Sequence, residues 1–461
     1  MSIRYYSTNR DLKNITGIKP FAGKVSFKEA LLTGQAPDEG LFMPDSIPRL
    51  SLNDIQELKG KPYWETALLV AMAFLADEFS VEVLTHVVQD AYNYPVPLEE
   101  VSRRTFVMRL DQGPTASFKD FAARMMARLM SYCRPQGERL NILVATSGDT
   151  GSAVGKAFKD VIGIDVTILY PTDEVSLRQK KQLDTIGGNV QSLSVSGKFD
   201  DCQNLVKQAF SDPALARFNL TSANSINFGR ILPQIIYYIY AYAQLAAAGE
   251  EIIFSVPSGN FGDALGCEYA RRMGMPLAKL VMPTNENDEF PNYLKNGSYK
   301  KVSPSRACIS NAMNVGHPSN LARFFELYGG TVDRAGVVHS NPDLEEMRQH
   351  IFSVSISDEE TRKTIKKVYQ LYNVVLEQHG AVGWAGLEAF FQATKTKGLA
   401  VSLETAHPAK FPEEIQKLLG LTPELPASMK GIDERKGNAL SMTNNYVDFK
   451  NYLQNHLKVK E

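Results

Sequence analysis

From residue 140 to residue 284, short apolar runs alternate with helical stretches, and this alternation constrains the fold more than any other feature of the sequence. The runs "LNILVAT", "DVTILYP", "VQSLSVS" and "EIIFSVPS" have the length and β-branched content of buried strands. Each precedes a stretch of helical periodicity, so the order predicts right-handed βαβ units and mostly parallel sheets covered by helices. Ligands of such sheets bind at the carboxyl ends of the strands, which makes the following loops the candidate sites.

Composition and charge argue against several classes of partner. The 461 residues include 50 basic and 51 acidic side chains without a basic and aromatic cluster, which argues against nucleic acid or a membrane surface. The N-terminus "MSIRYYSTNRDLKNITG" lacks the apolar core of a signal peptide and predicts a cytoplasmic protein. The apolar run that starts at Ile231 contains Pro233 and Gln234, which favours a buried helix over a membrane span. The cysteines and histidines show no metal-ligand spacing, so we expect reduced cysteines and no metal.

One lysine occupies an unusual place in "PTASFKDFAARMMARLM", residues 114–130. Ser117 and Asp120 have the spacing of a capping box, which predicts a helix from Phe118 with Lys119 in its first turn. Lys119 then shares the apolar face of this helix rather than the charged stripe of Asp120, Arg124 and Arg128, which should face water. Burial and the positive end of the helix dipole both favour a neutral amine, the form that attacks carbonyl carbons. The alternative is a lysine whose stem packs inside while its charge reaches solvent.

Two loops after predicted strands suit anions. In "SVPSGNFGDALG", residues 255–266, glycines stand between a strand and a helix, where backbone N–H groups and the helix dipole favour a phosphate. In "ATSGDTGSAV", residues 145–154, hydroxyl and N–H groups suit a carboxylate or a phosphate. The alternatives are an ordinary tight turn in the first loop and a helix capped by Thr150 or Ser152 in the second.

A third loop, "LETAHPAKF" at residues 403–411, brings Thr405 to a strand end, where a threonine is usually a plain turn residue. A lysine on an apolar face and two phosphate-type loops, in an α/β chain without metal ligands, together favour a pyridoxal-phosphate enzyme. Such a protein supplies an imine-forming lysine and a phosphate cradle, while the cofactor supplies the electron sink.

Seven motifs in order resemble the threonine synthase family, within the pyridoxal-phosphate enzymes related to tryptophan synthase β. They are "GPTASFKDF" (113–121), "ATSGDTG" (145–151), "SANSINFGR" (222–230), "SVPSGNFGD" (255–263), "TNEND" (284–288), "SNAMNV" (310–315) and "TAHPAKF" (405–411). The N-terminal "VSFKEALLTGQAPDEGLFMP" also resembles the leader domain of that family. The bacterial pattern has His before "GPT", whereas this chain has Gln112, which affects the expected substrate contacts nearby.

The resemblance implies a role for each candidate residue. Lys119 is expected to form the Schiff base, and Thr405 to lie against the pyridine nitrogen, which a neutral hydroxyl leaves unprotonated. The cofactor phosphate is expected to be surrounded by Gly259, Asn260, Phe261, Gly262 and Asp263. The residues expected to contact the substrate are Thr115, Ser147, Gly148, Asp149, Thr150, Asn224 and Arg230.

The implied reaction is the last step of threonine biosynthesis, in which O-phosphohomoserine and water give threonine and phosphate. A serine or threonine dehydratase, or a related β-eliminating lyase, keeps the same fold and cofactor and is the nearest alternative. A non-catalytic protein that binds a phosphorylated ligand is an alternative of another class.

The implied architecture is α/β, with two open, mostly parallel, helix-covered sheets as in tryptophan synthase β and a small N-terminal helical domain. We assign residues 1–80 to the N-terminal domain and residues 133–229 to a small α/β domain. Residues 81–132 and 230–461 are assigned to a large cofactor-binding α/β domain. The end of the chain is expected to be helical, and the protein to be a monomer or a homodimer.

Overall fold

The computed structural model describes residues 2–12 and 19–459. The strands are β1 (Tyr5–Ser7), β2 (Lys24–Val25), β3 (Phe42–Pro44), β4 (Leu98–Ser102), β5 (Thr105–Arg109), β6 (Leu140–Ala145), β7 (Ile164–Pro171), β8 (Val190–Ser196), β9 (Leu220–Ser222), β10 (Ile252–Ser255), β11 (Leu277–Thr284), β12 (Thr331–Val332), β13 (Val338–Ser340), β14 (Ile351–Ser355), β15 (Leu399–Glu404) and β16 (Leu440–Thr443).

The helices account for most of the remaining regular structure. They are α1 (Phe27–Thr33), α2 (Leu52–Gln56), α3 (Tyr63–Leu75), α4 (Val81–Ala91), α5 (Lys119–Cys133), α6 (Asp149–Phe158), α7 (Leu177–Asp184), α8 (Phe199–Ser211), α9 (Leu232–Leu245), α10 (Gly262–Arg272), α11 (Glu289–Asn296), α12 (Leu321–Leu327), α13 (Leu344–His350), α14 (Asp358–Tyr372), α15 (Gln378–Thr394), α16 (Pro412–Leu419) and α17 (Tyr446–His456).

Two mostly parallel sheets form the framework. The larger has the order β14-β11-β10-β15-β5-β4, in which only β4 runs antiparallel to its neighbour. The smaller has the order β16-β8-β7-β6-β9 and is parallel throughout. The expected alternation is confirmed, because the strand-like runs form β6, β7, β8 and β10, and α6, α7, α8 and α10 follow them.

The N-terminal region contains strands that the sequence analysis missed. It was expected to be helical, but β2, β1 and β3 form a three-stranded antiparallel sheet beside α1 to α3. These strands are two or three residues long. Runs of that length cannot display the alternation by which a strand is recognised.

The C-terminal end is not purely helical either. Strand β16 pairs in parallel with β8, and Phe449 and Leu453 of α17 belong to the apolar cluster on one face of the small sheet. This part of residues 230–461 therefore packs with the small α/β domain rather than with the large domain to which it was assigned. Strand β16 is a four-residue edge strand whose residues are mostly exposed. Its sequence therefore contains no apolar run from which a strand could be predicted.

Helix α9 lies in the centre of the main core. Nearly all of its side chains are buried, which confirms the expected buried helix in the run from Ile231. Helix α10 packs closely against it at Gly266, where an added Cβ would lie 2.5 Å from the Gln234 carbonyl oxygen. The contact positions the amino end of α10, and thereby the loop before it.

Replacing Gly266 by alanine should weaken this helix pair. The new methyl group would meet backbone atoms rather than a flexible side chain, so we expect a loss of about 1–3 kcal/mol of stability. The measurement is the denaturation midpoint by circular dichroism. Gly398→Ala is the matched control, since its Cβ would make only an ordinary 3.8 Å contact with Ile253. Equal midpoints for both variants would contradict the close packing.

Candidate active site

A cavity of about 580 Å³ lies between the two sheets, where the loops after several strands converge. Loops that follow β6, β9, β10 and β15 all contribute to its wall, as expected for the carboxyl ends of parallel strands. Of the candidate residues, the structure places Lys119, Ser147, Asp149, Thr150, Asn224, Arg230, Gly259, Asn260, Phe261, Gly262, Asp263 and Thr405 along this wall.

The segment before α5 is held by the segment after β15. The Phe118 N–H donates to the Thr405 carbonyl oxygen at 2.8 Å, and the His407 N–H donates to the Ala116 carbonyl oxygen at 3.0 Å. Helix α5 begins at the next residue, Lys119, so this pairing brings Lys119 and Thr405 to the same wall of the cavity.

The environment of Lys119 favours its neutral amine. Burial lowers the pKa of Lys119, and the positive charges of Arg230 and Lys410 lower it further, while Asp149 and Asp263 oppose the shift. Its ammonium group lies 4.5 Å from the centre of the Phe118 ring. Lys119 thus lines the cavity, and an amine with a lowered pKa is more often in its nucleophilic form.

The predicted capping box at the start of α5 is wrong. The Ser117 hydroxyl has no hydrogen-bond partner among the described residues, and Phe118 is the N-cap residue without a side-chain cap. Asp120 is buried, not exposed, and accepts from the backbone N–H and the hydroxyl of Thr115 at 2.8 and 2.7 Å. The carboxylate therefore orders the loop before the helix.

Thr115 does not line the cavity. Its hydroxyl binds Asp120, and its carbonyl oxygen accepts from the side chains of Gln182 and Lys410 at 3.1 and 3.0 Å. The expected substrate contact from Thr115 therefore finds no support in this geometry. Gln112 also lies outside the cavity wall, where its side-chain amide donates to Asp111 at 2.7 Å.

Residues 259–263 form the turn between β10 and α10. Phe261 has a left-handed backbone with φ of 63°, and α10 begins at Gly262. The first N–H groups of a helix have no intrahelical partner and carry the positive end of its dipole. An added Cβ at Gly259 would lie 3.0 Å from the Met313 Cα atom, so this glycine permits close approach of two cavity walls.

Two members of this loop differ from simple phosphate ligands. The Asn260 side-chain oxygen accepts from the Ser319 hydroxyl at 3.2 Å, so its carboxamide holds residues 259–263 against the segment that contains Ser319. Burial raises the pKa of Asp263 to about 6, and its carboxyl oxygen accepts from the Ala264 N–H at 2.9 Å. A carboxylate repels a phosphate, so only the backbone of Asp263 suits an anion.

Residues 147–150 form the turn between β6 and α6. The Thr146 hydroxyl oxygen accepts from the N–H groups of Gly148 and Gly151, both at 2.9 Å. The alternative that Thr150 or Ser152 caps this helix is thereby wrong. Gly148 has φ of 130°, and a Cβ there would lie 2.6 Å from the Gln179 side-chain nitrogen. With the cap supplied by Thr146, the hydroxyls of Ser147 and Thr150 face the cavity unused by the helix.

Arg230 provides a buried positive charge on the cavity wall. One of its terminal nitrogens donates to the Ala223 carbonyl oxygen at 2.7 Å, and its Nε atom has no partner among the described residues. Burial lowers the pKa of Arg230 to about 10. Asn224 lies nearby and donates to the Ala145 carbonyl oxygen at 3.0 Å. A guanidinium with uncommitted N–H groups in an enclosed site suits an anionic ligand.

Two residues at the site escaped the sequence analysis. Lys410 is fully buried and lies 2.6 Å from the Asp149 carboxylate. His379 lines the cavity, where its Nε2 atom accepts from the Ala312 N–H at 3.1 Å while Glu377 binds its Nδ1 atom at 2.5 Å. The quoted motif "TAHPAKF" already contains Lys410, but its burial could not be recognised without the partner from α6.

Metal-binding and membrane-spanning features were also sought in the described ranges. Within residues 2–12 and 19–459, no group of three or more His, Cys, Asp or Glu side chains could hold a metal ion. No helix in these ranges has both the length and the apolar character needed to cross a bilayer. The four cysteines are free thiols.

Comparisons with known proteins agree with the geometry. The sequence matches the family models "Pyridoxal-phosphate dependent enzyme" over residues 91–403, "Threonine synthase N terminus" over residues 4–92 and "Threonine synthase, C-terminal" over residues 380–453. It is 37% identical to a threonine synthase from Haemophilus influenzae over 442 residues, which cover 95% of this chain and 99% of the relative.

Solved structures show the same likeness. The structure of PLP-bound threonine synthase from Brucella melitensis superposes with a TM-score of 0.89 at 33% identity, covering 99% of this chain and 100% of the other. That of Escherichia coli threonine synthase gives a TM-score of 0.86 at 32% identity, with 98% and 100% coverage. The chain therefore belongs to the threonine synthase family, and it is a pyridoxal-phosphate dependent lyase.

Proposed function

We propose that this cavity binds pyridoxal phosphate at Lys119 and converts O-phosphohomoserine and water to threonine and phosphate. The observation that carries the proposal is the convergence of one amine and two anion-type loops on a single cavity. Lys119 lies at its wall together with Ser147, Asp149, Thr150 and residues 259–263, whereas Gly148 does not line it. A binding-only protein would need the loops but not a lysine whose pKa is lowered.

The residues present fit the cofactor. The turn at residues 259–263 leads into the amino end of α10, whose dipole favours the phosphate, and Gly262 leaves room in front of the Gln234 and Asn320 side chains. Thr405 is buried at the wall that carries Lys119, so its hydroxyl can meet the ring nitrogen. When bound, pyridoxal phosphate supplies an electron sink for carbanions next to its imine carbon.

The substrate requires a second anion site. Residues 147–150 are assigned to its amino-acid end, and Asn224 and Arg230 to its phosphate. Arg230 is suited to this task because its charge is buried on the cavity wall and its Nε atom is uncommitted. A bidentate guanidinium also matches the geometry of a phosphate better than an ammonium group does.

Lys119 has two tasks in the proposed reaction. It holds the cofactor at rest, and once the substrate displaces it, the freed amine accepts the α proton and the β proton in turn as general base. Loss of the γ-phosphate and addition of water at the β carbon complete the conversion. The amine becomes an ammonium group when it accepts the α proton, so it must release that proton before it can accept the β proton. Burial favours this return to the neutral form, because it lowers the pKa of Lys119.

The nearest rival, a serine or threonine dehydratase, is not favoured, because both terminal threonine synthase domains match this chain. A dehydratase substrate carries no phosphate, so it gives no task to the uncommitted guanidinium of Arg230. We further propose that the protein acts in the cytoplasm as a monomer or a homodimer. The near-zero net charge supports this placement.

Borohydride reduction of the holoenzyme followed by peptide mass spectrometry should find the pyridoxyl group on Lys119. Lys119→Ala should lose the label and reduce turnover by at least about 100-fold, since a general base is removed. Lys207→Met is the matched control, because Lys207 also lines the cavity and burial also lowers its pKa, and this variant should leave the label in place. A pyridoxyl group on any other lysine would refute the assignment.

Thr405→Asp should change the cofactor spectrum and its pH dependence, because a carboxylate favours a protonated ring nitrogen. Thr405→Ser keeps the hydroxyl and should retain the spectrum, whereas Thr405→Val removes it without a charge. The backbone bond from Phe118 to Thr405 is available in all three variants. If Thr405→Asp has the spectrum of Thr405→Ser across the pH range, Thr405 does not contact the ring.

Purified protein should convert O-phosphohomoserine to threonine and use serine and threonine poorly. Arg230→Ala should raise the KM for O-phosphohomoserine about 10–100-fold, the cost of charge-assisted bonds to a phosphate, with a smaller effect on cofactor affinity. Arg217→Ala, which removes an exposed charge outside the cavity, is the control. Faster release of ketoacid from serine or threonine than of threonine from O-phosphohomoserine would establish the dehydratase instead.

A further inference from the structure

Lys410, to which the proposed reaction gives no task, forms a fully buried ion pair with Asp149. Its ammonium group lies 2.6 Å from a carboxylate oxygen of Asp149, and the two side chains are 0% and 3% exposed. It also donates to the Thr115 carbonyl oxygen at 3.0 Å. Burying two charges is costly unless both are paired and hydrogen-bonded, so a pair in this place calls for a function.

The pair joins the two α/β layers directly beside Lys119. Asp149 begins α6 of the small sheet, whereas Lys410 and Thr115 belong to the segments that follow β15 and precede α5 of the large sheet. The Gln179 side chain of α7 donates to the same Asp149 oxygen at 2.9 Å. The Lys410 ammonium group therefore links the loop at residues 147–150 to the segment that precedes α5.

We propose that Lys410 is a positioning residue, whose bond to Asp149 fixes the substrate loop beside Lys119 and balances the negative charge that Lys119 faces there. The proposal rests on the proposed function for the role of Lys119. Its physical content is a triangle of charges, in which Asp149 attracts both ammonium groups while these repel each other.

The triangle makes the amine of Lys119 sensitive to both partners, in opposite directions. Beyond the effect of burial, Asp149 raises the pKa of Lys119 and Lys410 lowers it. For Asp149, burial raises the pKa, but the charges of Lys410 and Lys119 hold it well below its usual value. Losing Lys410 alone leaves Lys119 as the remaining ammonium partner of Asp149, so the amine should become protonated and less reactive.

The test measures the amine of Lys119 without turnover. The full-length protein, freed of cofactor by hydroxylamine and dialysis, is labelled with acetic anhydride at a series of pH values, and acetylation of Lys119 is quantified by mass spectrometry. Lys410→Met should move the labelling midpoint of Lys119 up by about one pH unit, and Asp149→Asn should move it down. The double variant should return close to the parent value, because attraction and repulsion are removed together.

A control variant distinguishes the electrostatic effect of Lys410 on Lys119 from its role as a contact between the large and the small α/β domain. Arg178 of α7 donates to the Ala409 carbonyl oxygen at 2.5 Å, so it also joins the two domains, but its charge is paired with Asp433 and is not among those that shift the pKa of Lys119. Arg178→Met should leave the labelling midpoint unchanged. An unchanged midpoint in Lys410→Met would overturn the proposal.

The proposal can still be tested if the Lys410→Met variant misfolds. If Lys410→Met does not fold, as judged by circular dichroism, then Asp149→Asn and the double variant decide. Equal downward shifts in these two would overturn the proposal, because Lys410 would have no influence on the amine. Failure of the proposed function is a separate result, namely a pyridoxyl group on another lysine, and it leaves these midpoints interpretable.

Discussion

The backbone hydrogen bond from the Phe118 N–H to the Thr405 carbonyl oxygen holds together the two segments on which the site depends. Residues 113–118 and 405–410 are far apart in the chain, and their pairing at this bond and at Ala116 fixes the first residue of α5 against the end of β15. Because backbone groups make the bonds, the geometry tolerates side-chain changes at both positions. Lys119 and Thr405 can thus be set at one cavity wall without contacting each other's side chains.

Burial then determines the charge states that this geometry presents. Lys119, Arg230 and Asp263 all have pKa values shifted toward the neutral form by burial, whereas Asp149 is shifted the other way by two ammonium groups. The only close ion pair among these cavity charges is therefore the one that Asp149 forms with Lys410. Lys119 and Arg230 form no such ion pair, so their amine and guanidinium groups remain available to ligands. The proposed binding of two phosphorylated molecules requires such groups.

The sequence predicted the two sheets and the residues that line the cavity better than it predicted the hydrogen bonds and ion pairs that hold those residues in place. Strands such as β6 and β7 were recognisable because they are long and apolar. The loops at residues 147–150 and 259–263 were recognisable because they contain glycines and polar residues directly after such strands. The edge strand β16 and the strands β1 to β3 are too short or too exposed for a pattern. Asp120 was placed in water because its helical position is charged, while its binding of Thr115 depends on the folded loop before α5. Lys410 was missed because its partner lies on another layer.

Thr405, the residue proposed to meet the ring nitrogen of the cofactor, directly follows β15. Glu404, the preceding residue, points away from it into a buried network, where its carboxyl oxygen accepts from the Glu377 N–H at 2.8 Å. Burial and the nearby Glu377 raise the pKa of Glu404 well above its usual value, which favours the uncharged form of this carboxyl group. A ring bound beside Thr405 would therefore find a hydroxyl there, while the Glu404 carboxyl group is engaged with the Glu377 backbone. Under the proposed function, Thr405 would give the ring nitrogen a neutral partner, and Arg230 on the cavity wall would bind the one phosphate that the substrate loses.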